Sequence, residues 1–452
     1  SQIERVMEPL HRVDRAVRLD AQPGRVTDEQ RPLRPPQTLG DRVDVGRARQ
    51  GAARARCDAT EHEHASAEHR RRESMSSHAS VCPRSSDGTG RTRYVRPVED
   101  AATVQQRFHA AGHDQRGRST LYSHLNRQIA DDPDVASLLL AAPRQQRLPV
   151  LLLAAVHSII LDDPTVELAS WYPTATESPR SDDAYPAFRR LCLERRDQIR
   201  EIVAGRSVQT NEVGRCTLLL PALAQIEPEL DGALRLIDVG ASAGLNLLLD
   251  QFEYRYEPGG SVGQSSKVVL QCGTRGKIRI PPRCPGLADR LGIDRDPIDT
   301  SDADARRWLL ACVWPDQPDR FERLRGALEL ADEQPPSVVR GDALTDTTHH
   351  AATTPHDMHP VITNSWVLNY LTEPDRQAYA TMLDEFGSSR DVSWIFAESP
   401  GLCPGLPFPR HLQGLHTTVV MLVRWRGGVR SERHIGVGHP HGYWLHAPSD
   451  QF

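Results

Sequence analysis

The stretch Leu236-Ile237-Asp238-Val239-Gly240-Ala241-Ser242-Ala243-Gly244-Leu245-Asn246 decides the fold. From Leu234 to Val239 it reads as a short buried strand. Two glycines then mark a turn, and LNLLLDQF reads as a helix beyond it. Gly240 supplies backbone angles closed to other residues, and Gly244 lets the first helical turn approach a ligand or the sheet closely. A helix start behind such a turn offers its backbone N–H groups to a polar or anionic ligand. Asp238, at the strand end, is an acceptor for a ligand's donors.

Two chemistries use such a turn. One is the nucleotide turn of class I S-adenosylmethionine-dependent methyltransferases, an acid followed by glycines at alternate positions. Asp238, Gly240 and Gly244 match it, and Ser242 stands where that pattern has its middle glycine. The other is the nucleophile elbow of serine hydrolases, since Gly240-Ala241-Ser242-Ala243-Gly244 satisfies G-x-S-x-G between a strand and a helix. There Ser242 is the nucleophile, with Asp342 or Asp346 and His439 or His441 as partners in chain order. Context separates the two. A hydrolase elbow follows several strands and an oxyanion loop, whereas the preceding residues here read as helical. A turn after the first strand suits a doubly wound sheet, whose ligands sit beyond the carboxyl ends of the strands. A turn that only packs helix on sheet, with no ligand, is the plain alternative.

Outward from the turn, the periodicity switches. Upstream, from about residue 94 to 230, it is helical. Asp132-Pro133-Asp134 is an N-cap followed by proline at the first helical position. Residues 144–161 form a strongly apolar helix. Tyr185 to Gly205 carries one apolar face with Gly205 as its C-terminal cap, and Asn211 caps a further helix that Pro221 kinks or ends. Downstream, FEYRYEPGG and KVVLQCGTRGKIRIPP read as a β-rich insertion, about 253–285. DRLGID, SVVRGDAL, PVITNSW and VSWIFAES follow as strands, helices DADARRWLLACVW and DRQAYATMLDEF intervene, and an antiparallel pair closes the chain. The expectation is an α/β protein with a doubly wound, mostly parallel sheet behind an N-terminal α-helical domain.

Successive strand ends carry acids. Asp294 closes DRLGID, where a ribose-binding acid belongs in a class I fold. Glu253 and Glu257 lie nearer the usual spacing, but the insertion breaks a simple strand–helix unit there. Asp342 in VVRGDAL is placed to meet an adenine amine. Asn364 ends the fourth strand, where the transferred group would lie, and Glu398 ends the next as a base or orienting group. Each acid equally suits a helix cap. No Asn-Pro-Pro-aromatic run follows that strand, which disfavours amino-methylation of nucleic acid. His439-Pro440-His441 lacks a third ligand at metal spacing, and no metal site is expected.

Composition bounds the rest. The chain has 452 residues and a formal net charge of −5, a poor profile for a general nucleic-acid binder. No apolar run reaches the roughly 18 residues of a membrane span. The eight cysteines include no CxxC pair and read as reduced thiols of a cytoplasmic protein. All but two of the 55 basic residues are arginines, a bias ascribed to a GC-rich genome rather than to phosphate binding. Residues 1–93 hold no Phe, Trp or Tyr and cannot bury enough apolar surface to offset ordering. They read as a disordered tail, with the part before Met75 resembling upstream sequence translated from a start set too early.

Taken together, RLIDVGASAGLNLLLDQFEYRY, RLGIDRDPID, RRWLLACVWPDQPDRFERLRGAL, VVRGDAL, NSWVLNYL and HPHGYWL resemble a bacterial family, domain of unknown function 2332, frequent in actinobacteria. The resemblance runs from about Val104 to the C-terminus. It implies a class I methyltransferase-like fold behind a helical region, and supplies no activity. The resulting expectation is an enzyme holding S-adenosylmethionine through Asp238, Gly240, Ser242, Gly244, Asp294 and Asp342. Asn364 and Glu398 would serve transfer to an unknown small-molecule or protein acceptor. A serine hydrolase and a non-catalytic binding module on the same fold stand as alternatives.

Overall fold

A computed structural model describes residues 101–226, 233–402, 405–406 and 416–447. The expected tail over 1–93 lies outside the described residues. Residues Glu99–Phe452 form one compact unit.

Helices come first. Ala101–Asp114 (α1), Thr120–Ala130 (α2), Pro133–Ala136 (α3), Pro149–Asp162 (α4), Tyr185–Glu194 (α5) and Arg196–Gly205 (α6) share a core that includes Phe108, Leu125, Leu152, Val156 and Phe188. Asp132 caps α3 by accepting from the N–H groups of Asp134 and Val135. The helix expected over 185–205 is broken at Arg195, whose φ/ψ of −104° and 23° interrupts it. Cys216–Leu223 (α7) is preceded by a 3-10 turn, and the capping side chain there is Glu212, which accepts from Gly214 N. Asn211, the expected cap, instead donates to the Ala241 carbonyl at 2.9 Å.

Among the described residues one eleven-stranded sheet follows, with spatial order β3-β2-β4-β11-β10-β9-β8-β7-β1-β5-β6. β1, Ala233–Val239, lies third from one edge, at the heart of its parallel half. Parallel neighbours β5 (Leu287–Asp294) and β7 (Met358–Ser365) flank it, and β6 (Val338–Arg340) and β8 (Val392–Glu398) extend each side in parallel. Residues 253–275 supply β2 (Glu253–Glu257), β3 (Gly260–Val262) and β4 (Val269–Arg275), which join the far edge of the same sheet through β11 (Trp444–His446). The hairpin of β9 (Thr418–Arg426) and β10 (Val429–Gly438) turns at Gly427-Gly428, both at positive φ, and runs antiparallel to β8. The architecture is mixed α/β with a mostly parallel sheet.

Alternation along the strands builds a core on each face. Leu234 and Leu236 of β1, with Ile395 and Ala397 of β8, meet the leucines of α7 and those of helix Pro318–Glu333 (α9). Ile237, Val239, Trp394 and Phe396 face the other way, with Leu383 of Glu373–Ser389 (α11) and Ala351 of Ala343–Ala352 (α10). Helix Ala303–Ala311 (α8) carries Trp308 into the core of the helical half. β1 is buried on both faces from Leu234 to Val239, and the turn at its carboxyl end positions the site.

Candidate functional site

The turn after β1 is held in an unusual backbone. Gly240 and Gly244 both have φ of +74°, and Ser242 has +56°, a left-handed conformation uncommon for any residue but glycine. Local bonding holds it. The N–H groups of Gly240 and Ala241 donate to the Ile293 carbonyl at 2.8 and 3.2 Å, and Gly244 N donates to Ala241 O at 2.8 Å. Ser242 N donates to Asp294 Oδ2 at 2.7 Å. This corrects one expectation: the amides are spent on the end of β5 and within the turn, so the bend contributes shape rather than an array of free donors. The helix beyond it is also corrected. Leu245–Gln251 is a 3-10 segment with non-helical angles at Leu248.

The glycines are small for packing reasons. A Cβ on Gly240 would sit 2.5 Å from Val367 Cγ2, and one on Gly244 2.6 Å from Val338 Cγ2. Of the two readings of Gly244, close approach to the sheet is the one realised.

Above the turn lies a cavity of about 530 Å³. Gly240, Ser242 and Asp294 line it, as do Asn211, Arg215, Trp366 and His441. The helical half contributes Arg118, Gln146, Val150, the segment Ser207–Glu212 and Arg215. Asp294 accepts from Ser242 N through Oδ2 and from Asp296 N (2.8 Å) through Oδ1. A carboxylate has about four lone-pair sites, so each oxygen retains accepting capacity toward the cavity.

The other expected residues lie behind this lining. Asp238 is buried beneath the turn and accepts from Thr363 Oγ1 at 2.8 Å. Burial pushes its pKa up to about 7, a charge on Asp294 adding to that and the Thr363 hydrogen bond opposing it. Asp342 is the N-cap of α10 (Leu344 N donates at 2.9 Å) and pairs with Arg295 at 2.7 Å. Asn364 and Glu398 are brought together but are fully buried and do not reach the cavity. Asn364 Nδ2 donates to Glu398 Oε1 at 2.8 Å, and Trp394 Nε1 donates to Asn364 Oδ1 at 2.6 Å. Glu398 also accepts from the N–H groups of Val367 (2.9 Å) and Leu368 (3.3 Å). Expected at the reacting atoms, the pair instead braces the loop after β7. That loop carries Trp366, at φ +58°, whose indole N–H donates to Thr418 Oγ1 at 2.8 Å.

Among the described residues the hydrolase alternative finds no relay. Ser242 Oγ donates to Gln209 Oε1 at 2.9 Å, not to a histidine. His441 Nδ1 lies 3.0 Å from Glu212 Oε2, and Asp346 accepts from Asp342 N. Among the described residues, no three His, Cys, Asp or Glu side chains gather as a metal site.

The cavity's charged wall carries no motif in the sequence. Glu212 is buried and contacts Arg320 Nε at 2.6 Å and Arg323 Nη2 at 3.5 Å. Burial raises its pKa, but Arg320, His441 and Arg323 outweigh that and hold it well below the usual range. His441 is pushed down to about 3 by burial and by Arg320, and stays neutral. Arg215, also buried, donates through Nε to Pro440 O at 2.9 Å and through Nη1 to Ser365 O at 3.0 Å. The one signal available was local: the polar run Gln209-Thr210-Asn211-Glu212 and Arg215 directly precede an almost wholly apolar helix.

No curated protein matches the chain. A family model described as "Uncharacterized protein conserved in bacteria (DUF2332)" matches residues 105–446, about three quarters of the sequence and every element that builds the cavity. The protein belongs to the DUF2332 family of bacterial proteins.

Proposed function

We propose that the protein is a class I methyltransferase-like enzyme that binds S-adenosylmethionine in this cavity and serves a small-molecule or protein acceptor. The carrying observation is where the cavity lies. It opens beyond the carboxyl ends of β1 and β5, next to the loop after β7, where strands added on one side of β1 give way to strands added on the other. In doubly wound sheets such a crevice is where nucleotide ligands bind. The parallel order β6-β5-β1-β7-β8 supports the same class.

The residues present fit the group. Asp294 keeps accepting capacity for a ribose diol, and the cavity volume falls in the roughly 300–1,000 Å³ range of small-molecule sites. When bound, the cofactor would supply a methyl group activated on a sulfonium. The chain's own part is alignment and exclusion of water. In this reading Asp238 and the Asn364–Glu398 pair are positioning residues that hold the turn and the Trp366 loop, and Asp342 anchors Arg295 at the rim. No contact of Ser242 favours the hydrolase reading.

Calorimetric titration of S-adenosylhomocysteine into the wild type and Asp294→Ala tests the proposal. Micromolar binding that weakens at least tenfold in the variant supports it. No binding by the folded wild type refutes it.

A further inference from the structure

Two buried groups in the cavity wall are left without partners of their own kind. Arg215 is 8 % exposed, and its guanidinium donates to backbone carbonyls of Pro440 and Ser365. Among the described residues no carboxylate lies within 4.0 Å of it; Glu212 and Glu398 act on it only from farther off, and its Cζ lies 5.8 Å from the centre of the Trp366 ring. Buried charges are costly unless paired, and Arg215 lines a space able to hold a counter-charge. Asn211, also 8 % exposed, uses its Nδ2 on the Ala241 carbonyl at 2.9 Å, which fixes the orientation of the amide. Its Oδ1 is buried with no hydrogen-bond partner. A buried acceptor of this kind calls for a donor.

The two are anchored on adjacent strand ends. Ser365 is the last residue of β7, and Ala241 follows the end of β1, which pairs with β7 in register at Val239 and Asn364. Neighbouring strands lie about 5 Å apart. One wall of the cavity thus offers a cation beside a lone acceptor. A carboxylate beside an ammonium is the complement.

We propose that Arg215 and Asn211 form a receptor for an α-amino acid head group, Arg215 taking the carboxylate and Asn211 Oδ1 the ammonium. The head group has two chemical sources: the amino-acid tail of the cofactor, or a free amino acid. The inference rests on the cavity being a ligand site, as proposed above, but not on methyl transfer. Asp294, at the end of β5, is on the far side of β1 from the Arg215 anchor, and the Asn211 anchor at Ala241, whose N–H donates to Ile293, lies between them.

The test is calorimetry on the full chain with three probes: S-adenosylhomocysteine, 5′-methylthioadenosine (the same nucleoside without the tail) and free L-methionine. Wild type, Arg215→Gln and Asn211→Leu are compared. If the cofactor tail is the source, wild type binds S-adenosylhomocysteine at least tenfold tighter than methylthioadenosine. Arg215→Gln then removes most of that ratio while leaving methylthioadenosine unchanged, and Asn211→Leu, which also loses the hydrogen bond to Ala241, must weaken S-adenosylhomocysteine by at least as large a factor as methylthioadenosine. If a free amino acid is the source, methionine binds alone and both variants lose it, with both nucleosides unaffected in Arg215→Gln.

Methionine bound through Arg215 while neither nucleoside binds would sink the methyltransferase reading and leave the receptor standing. S-adenosylhomocysteine binding alike to all three proteins, with no methionine binding, would overturn the receptor and leave the cofactor reading intact. No binding of any probe overturns both. Should the variants fail to fold, methionine methyl ester and N-acetylmethionine test the wild type from the ligand side. If methionine binds, each must bind at least tenfold more weakly. If it does not, an S-adenosylhomocysteine to methylthioadenosine ratio below threefold refutes the receptor.

Discussion

Asp238→Asn isolates the most consequential buried acid beneath the turn. The substitution keeps shape, and the amide oxygen can still accept from Thr363 Oγ1. What it removes is a titration. In the folded protein burial raises the carboxyl to about 7, against 3.8 for an ordinary aspartate. At about 1.4 kcal/mol per pH unit, that difference corresponds to about 4 kcal/mol, an upper figure for a relaxed site. The sign follows from proton counting. Between pH 4 and 7 the folded state holds a proton that the unfolded state has released, so wild-type stability falls as pH rises through this window and levels off above it. Buried histidines tilt the profile the other way, His157 and His359 being lowered to about 4 by burial, but they are common to both proteins and cancel in the comparison. Urea unfolding of both proteins at pH 5 and pH 8 measures the double difference. Asp238→Asn should gain on the wild type by about 2–4 kcal/mol between those pH values. A stability difference that changes by less than about 0.5 kcal/mol would refute a protonated Asp238 under the site.

Further outcomes follow from the same geometry. Gly240→Ala should cost about 1–3 kcal/mol, because alanine resists φ of +74° and its Cβ meets Val367. Val367→Ala in the same chain should return part of the loss in urea unfolding, leaving only the backbone contribution. Glu212→Gln strips the counter-charge from Arg320 and Arg323 and should destabilise by about 3–5 kcal/mol; a cost below 1 kcal/mol would show that solvent already screens the cluster. A fluorophosphonate probe should leave Ser242 unmodified by mass spectrometry, since its hydroxyl is buried and bonded to Gln209. Covalent labelling there would restore the hydrolase reading.

What sequence made legible was periodic or local. The switch from helical periodicity to short apolar runs located β1, β7 and β8, because strands buried on both faces read as continuous apolar stretches. The Asp132 cap was visible as an Asp-Pro pair. Less was visible where tertiary bonding overrode the local pattern. Nothing in GASAG tells that its amides are taken by Ile293 and Asp294, which arrive about fifty residues later. Asn364 and Glu398 sat at the expected strand ends, yet their hydrogen bonds turn inward to each other and to the Val367 loop. Arg215 was lost in the abundance of arginine, and only its burial marks it out. Asn211 and Glu212 adjoin in sequence, so capping preference alone could not tell which would cap and which would brace the turn.

The account turns on whether the crevice above Gly240 takes a nucleoside with its sugar on Asp294. A titration of S-adenosylhomocysteine into wild type and Asp294→Ala, with unfolding curves to show both chains native, measures this most directly. Micromolar affinity in the wild type and a loss of tenfold or more in the variant are expected. Equal affinity in the two chains, or no heat from a fully folded wild type, contradicts that expectation.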